Sequence, residues 1–218
     1  MCRLLSYVTR SPVMLRELLG DGLEEFQQLS HLHDDGWGLA AYDEQGRLIC
    51  RKAPEPAHSS PAFADLIEKV RTDTLLVHLR RATPGLSLRY ENTHPFTVGS
   101  YAFAHNGRIW PVGKIEDLID RHHRRHIQGT TDSERFFLAL LSACETMPAE
   151  EAIQRLLSDT RKDLNYTSLN SILMTPDAMY AICCYDPDHP IVSEELQQDP
   201  AYYTLHYSIN PHAVVVSS

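Results

Sequence analysis

The sequence has no Cys-x-x-Cys pair. Its five cysteines, Cys2, Cys50, Cys144, Cys183 and Cys184, are odd in number and irregularly spaced, which argues against a disulfide framework and a zinc-finger pattern. Nowhere do about 18 apolar residues run together, so no helix is expected to span a bilayer. Long Lys/Arg runs are missing too, and 20 basic against 29 acidic residues leave a formal net charge of −9. Nucleic acid or an anionic membrane surface therefore suits the chain poorly as a main partner, because phosphate binding needs concentrated positive charge. The opening Met1-Cys2-Arg3-Leu4-Leu5-Ser6-Tyr7 lacks the charged segment, apolar stretch and small-residue cleavage site of a secretory signal. A reducing, cytoplasmic location is the expectation. Internal repeats, low-complexity tracts and interdomain linkers are also absent. What is present is 218 residues, 43% hydrophobic and 22% charged, the composition of an ordinary globular protein with a sizeable core. A small molecule is the expected ligand.

Residues 2 to 8 read as a first strand, after which Ser11-Pro12 predicts a helix carrying Val13, Leu15, Leu18 and Leu19. Asp21-x-x-Glu24 signals a second helix, ended by His33-Asp34-Asp35-Gly36. Residues 37–42 and 47–53 form a hairpin around Asp43-Glu44-Gln45-Gly46. Ser60-Pro61 opens a helix through Val70, and residues 74–79 read as a buried strand. A loop at 82–93 precedes short strands at 96–99 and 101–104, closed by His105-Asn106-Gly107 as a turn. Helices are expected over 114–127, from the Thr131-x-x-Glu134 capping box, and from Pro148 to about Arg161. Residues 167–175, 178–185, 202–208 and 213–217 return to β. That order fits helices packed on stacked sheets.

Four pieces could carry chemistry. Cysteine at position 2 is small enough for methionine aminopeptidase to remove Met1, which would place a thiol and a free α-amine on one carbon. The amine ordinarily titrates near 7.7 to 8 and the thiol near 8.5, so one residue could supply nucleophile and base. From position alone an ordinary buried cysteine is the simpler reading. In His105-Asn106-Gly107 the Asn side-chain amide and the Gly N–H could converge on a developing oxyanion, but Asn-Gly is also a common hairpin turn. Arg80, within His78-Leu79-Arg80-Arg81-Ala82-Thr83, offers a planar fork for a carboxylate, and a surface salt bridge is its bland alternative. Asp132 lies in a helix N-terminal turn where the dipole favours an acid, or where its carboxylate could hold an ammonium group.

In order along the chain, Met1-Cys2-Arg3-Leu4-Leu5, Asp35-Gly36-Trp37-Gly38, His78-x-Arg80-x-Ala82-Thr83, Asn92-Thr93-His94-Pro95-Phe96, His105-Asn106-Gly107, Thr131-Asp132-Ser133-Glu134 and Leu169-Asn170-Ser171-Ile172-Leu173 strongly resemble the class II glutamine amidotransferases. These are N-terminal nucleophile hydrolases, and the stand-alone members acting on γ-glutamyl amides are nearest in character. The resemblance implies an α+β, four-layer αββα sandwich, one glutamine amidotransferase domain over 1–218. It also implies Cys2 as nucleophile with its own α-amine as base, Asn106 and Gly107 as oxyanion hole, Arg80 on the substrate α-carboxylate and Asp132 on its α-amine. The implied reaction is hydrolysis of glutamine or a γ-glutamyl conjugate through a γ-glutamyl thioester, without cofactor or metal. With no room for a synthase domain, the acceptor is water or an ammonia-accepting partner chain; self-association into a homo-oligomer is a further expectation. The alternative is a non-catalytic γ-glutamyl or amino-acid binding subunit. Arg81 departs from the family, where many relatives carry an aromatic residue, which bears on leaving-group preference.

Other features weigh less. His122-His123-x-x-His126 has spacing for a metal on a helix, but it lacks the acid of His-Glu-x-x-His and is interleaved with Arg121, Arg124 and Arg125. Cations suit a last helical turn. His31-x-His33-Asp34-Asp35 is ranked below a helix stop, and Cys183-Cys184, neighbours on an expected strand, should point to opposite faces.

Overall fold

The computed structural model describes residues 2–83 and 85–218; Met1 and Pro84 lie outside them. Strand β1 (Arg3–Met14) leads into helices α1 (Leu15–Leu19) and α2 (Gly22–Gln28), followed by β2 (Gly36–Tyr42), β3 (Leu48–Ala53), α3 (Pro61–Lys69) and β4 (Arg71–Arg80). Next come β5 (Phe96–Val98), β6 (Tyr101–Asn106), β7 (Ile109–Trp110), α4 (Val112–Glu116), α5 (Arg121–Arg124), α6 (Asp132–Cys144) and α7 (Ala149–Asp163). The chain ends through β8 (Asn165–Tyr166), β9 (Asn170–Met174), β10 (Met179–Ile182), α8 (Pro190–Gln198), β11 (His206–Ile209) and β12 (Ala213–Ser217).

Two antiparallel sheets, ordered β11-β12-β1-β4-β2-β3 and β10-β9-β6-β5, stack face to face, with a small β7-β8 ribbon beside them. The two-residue period of a strand assigns each side chain its layer. On the larger sheet Leu5, Tyr7, Leu39, Leu75, Val77 and Leu79 pack with Leu15, Leu23, Phe63 and Ile67 of α1 to α3. On the smaller sheet Phe103 and Leu173 pack with Phe136, Phe137 and Leu140 of α6 and Leu156 of α7. Their neighbours of opposite parity, Leu4, Ala40, Leu76, Ala102, Ala104, Ile172 and Met174, fill the seam between sheets. The result is the expected αββα sandwich. Three alanines let the sheets approach within that seam, and at Gly38 the approach is closest: a Cβ there would fall 2.0 Å from the His94 carbonyl oxygen. Among the described residues no helix is long and apolar enough to cross a membrane.

Several elements differ from expectation. The chain stays extended through Ser11-Pro12 because β1 changes register against β4 between Val8 and Val13. Pro12, lacking an N–H, thus sits where no ladder bond is required. The helix expected over 114–127 is two short ones: Asp120 adopts extended backbone and its carboxylate accepts the His123 N–H at 2.7 Å, capping a new start. His105 and Asn106 are strand residues paired with Ser171 and Asn170, so only Gly107 leaves the sheet. At the C-terminal side α8 was not foreseen; His189 caps it ahead of Pro190, and the strand expected over 202–208 is confined to β11. Asp21 stands at the N-cap of α2 but makes no side-chain cap bond.

Candidate active site

The antiparallel pairing of β1 with β4 sets Arg3 opposite Leu79, which brings Cys2 against the end of β4. Its Sγ lies 3.2 Å from the Arg81 N–H nitrogen and 3.3 Å from the Arg81 carbonyl oxygen. Across the seam, β6 carries Asn106 on the same face as Ala102 and Ala104, and its Nδ2 donates to the Cys2 carbonyl at 2.7 Å. Gly107 follows where the chain leaves the sheet. A Cβ there would meet the Ser168 carbonyl oxygen at 1.9 Å, and its φ of +151° also disfavours a side chain. Cys2 and Gly107 line one open cleft of about 320 Å³, together with Arg81 to Thr83, Arg108 and Thr167 on one side and Ile191, Glu195, Tyr202 and Tyr203 on the other.

Burial pushes the Cys2 thiol up, opposed by the Arg81 N–H and by the positive charge of Arg80. A thiol held protonated in this way needs a base before it can act as a nucleophile. Arg80 is buried beside it, donating from Nη1 to the Asp35 carbonyl at 3.4 Å. Asp35 also accepts the Ala82 N–H at 2.7 Å on Oδ2, so Asp35-Gly36 clamps the strand end that faces Cys2. Asp132, at the first position of α6, accepts the Ile109 N–H at 2.6 Å. Of the five predicted site residues, Cys2, Asn106 and Gly107 thus converge directly. Only Cys2 and Gly107 of the five line the cleft; Asn106 is buried behind them on the Cys2 carbonyl, Arg80 borders them, and Arg80 and Asp132 are turned to the protein's own backbone.

Beneath Asn106 lies a buried histidine pair. The rings of His78 and His94 are 4.3 Å apart between centroids, and among the described residues neither ring nitrogen of either residue, nor Asn106 Oδ1, has a hydrogen-bond partner of ordinary geometry. Burial, with Arg80 nearby, holds His78 down to about 3, and burial likewise lowers His94 and His105. His105 is satisfied by Ser133 Oγ and the Ser168 carbonyl, each at 2.9 Å. The cluster at His122, His123 and His126 is held otherwise, with His122 exposed and His123 buried and bound to Asp120. Among the described residues no three His, Cys, Asp or Glu side chains converge to hold a metal ion. Cys183 and Cys184 lie just past β10, both free; Cys183 is exposed, and Cys184 packs on the helix-side core.

Sequence reasoning assigned no role to Asp35, although its motif had been singled out, and it missed the wall built by Ile191, Glu195, Tyr202 and Tyr203. For the wall, the His189-Pro190 cap was the available signal.

The profile of the family described as glutamine amidotransferases class-II matches residues 1–200. The chain belongs to that family. Among its relatives is the probable glutamine amidotransferase DUG3 of Saccharomyces cerevisiae, 30% identical over 168 residues, covering 67% of this chain and 46% of that protein. The gamma-glutamyl-hercynylcysteine sulfoxide hydrolase of Mycobacterium tuberculosis is 32% identical over 93 residues, 40% of this chain and 39% of that one. The match thus spans less than half the length of each of these two relatives. In fold it resembles a glutamine aminotransferase class-II domain protein from Silicibacter pomeroyi, with a TM-score of 0.68 and 22% identity over 100% of this chain and 88% of that one.

Proposed function

We propose that this class II glutamine amidotransferase cleaves a γ-glutamyl amide with Cys2 as nucleophile. The supporting observation is that the Cys2 sulfur and Gly107 share one open cleft while the Asn106 amide reaches the Cys2 main chain at 2.7 Å. With Met1 removed, the free α-amine takes the thiol proton and the sulfur attacks the γ-carbonyl carbon. The carbonyl oxygen becomes an oxyanion facing the Gly107 N–H and the second N–H of Asn106 Nδ2, whose first is on the Cys2 carbonyl. The protonated amine then passes its proton to the leaving nitrogen as the C–N bond breaks, leaving a γ-glutamyl thioester. Water, deprotonated by the same amine, releases glutamate.

Arg80 is assigned to the substrate α-carboxylate, for which its guanidinium exchanges the 3.4 Å contact with the Asp35 carbonyl. Asp132 is assigned to the α-amine. Five free cysteines suit a reducing compartment, and the γ-glutamyl relative from Mycobacterium tuberculosis supports this substrate class.

The test is glutamate release from glutamine and from γ-glutamyl dipeptides by the purified chain, after intact mass has established that Met1 is gone. Turnover that vanishes in Cys2→Ala is the expected outcome. Tight γ-glutamyl binding without any release would instead mark a binding subunit.

A further inference from the structure

The mechanism leaves part of the cleft unused, and that part carries two arginines, Arg81 and Arg108, against one carboxylate, Glu195. Arg81 and Arg108 both line it and both are exposed at its rim. Among the described residues neither guanidinium has a carboxylate within ion-pair distance, although the chain carries a net charge of −9; Arg108 lies over the Trp110 ring, 5.7 Å from its centroid, and keeps its N–H donors for an anion. A third guanidinium, that of Arg3, stands 6.0 Å from the Tyr202 ring centroid, and its Nε is buried without a hydrogen-bond partner. Tyr202 lies in the fields of Glu195, Arg81, Arg3 and Cys2 together, so two of the cations, the one carboxylate and the nucleophile border one ring. The carboxylate of the cleft, Glu195, is occupied by the Tyr203 hydroxyl.

We infer that this part of the cleft binds a carboxylate on the leaving amine, so that the substrates are γ-glutamyl amides of amino acids or peptides rather than glutamine. The inference rests on the amidase reading above. Glutamine, whose leaving group is ammonia, would place nothing there. An amino-acid leaving group would bring its carboxylate to unpaired guanidinium forks, whose planar donors match both oxygens. A partly enclosed cleft concentrates that attraction relative to open water.

γ-Glutamylglycine and γ-glutamylglycinamide separate the possibilities, because they differ only in a carboxylate against a carboxamide. Glutamate release is measured from each with the wild-type chain, Arg81→Gln and Arg108→Gln. The expected result is that the acid-to-amide ratio of kcat/KM falls about tenfold in either variant, the worth of one charge-assisted hydrogen bond. Comparing variants cancels the different basicity of the two leaving amines. Added salt should shrink the wild-type ratio toward that of the variants. An unchanged ratio in both variants would overturn the inference. Should the wild-type chain release glutamate from neither compound, the amidase reading fails, and calorimetric binding to Cys2→Ala decides this point separately. Affinity about tenfold tighter for the acid, lost in Cys2→Ala/Arg81→Gln, supports it; equal affinities or no binding overturn it.

Discussion

At the residue scale the site is a matter of single atoms that no neighbour can replace. Asn106 supplies a two-donor amide within 2.7 Å of Cys2, so Asn106→Ala should lower kcat by roughly 10²- to 10³-fold with a smaller change in KM, as measured by glutamate release. An equal loss in KM alone would assign Asn106 to ground-state binding. Gly107 is restricted differently. The methyl of Gly107→Ala would collide with the Ser168 carbonyl, and since both belong to backbone at the edge of β6 and β9, the strands must part. A lower melting temperature together with lost turnover is the expected result; a fully stable variant would show that the turn relaxes at little cost. These residues were legible because their chemistry is written in the residue types themselves. Asp35 was not, since its work is to accept the Arg80 guanidinium on its main-chain carbonyl and the Ala82 N–H on its carboxylate, contacts that exist only once β2 and β4 are paired.

Elements were legible wherever a local signal and the tertiary contact agreed. Ser60 accepts the Phe63 N–H to start α3, Thr131 accepts the Glu134 N–H to start α6, and β2 pairs with β3 around the expected turn. Thr131→Ala should therefore cost about 1 kcal/mol in urea unfolding. No loss would mean that the Asp132 bond to Ile109 alone fixes that helix start. Where expectation missed, a competing contact prevailed. Ser11-Pro12 reads as a helix opener, but the irregular stretch of β1 tolerates the proline; Asp120 splits a continuous amphipathic pattern by capping the next turn; and α8, short and mostly polar, offers little periodicity. Asp132 and Arg80 were found as residues, yet the bonds they make to Ile109 and Asp35 depend on β7 and β2 lying alongside, which spacing does not encode.

At the scale of the whole molecule, stacking two sheets buries polar groups together with apolar ones. His78, His94 and His105 sit in or beside the seam, and burial depresses all three. An unfolded chain takes up protons near pH 6.5 that the folded chain refuses, His78 until about pH 3. Between those values the unfolded state binds more protons, so stability is complete above about pH 6.5 and falls as the pH drops. His78 alone should remove about 2 kcal/mol between pH 7 and pH 5, with the other two adding to it. Urea titrations at both pH values check this; an unfolding free energy that does not change would mean the seam accepts charge, and His78→Gln should flatten part of the slope. The layered arrangement itself followed from element order, but not which histidines would end without partners.

The central claim is that Cys2 is the nucleophile at a γ-glutamyl site, and covalent trapping tests it most directly. The full chain is incubated with a glutamine-derived diazoketone and mapped by peptide mass spectrometry. One adduct per chain is expected, on an N-terminal Cys2 peptide lacking Met1, with glutamate release from γ-glutamyl amides lost in proportion. An unlabelled Cys2, or labelling confined to Cys50, Cys144, Cys183 or Cys184, would contradict the account.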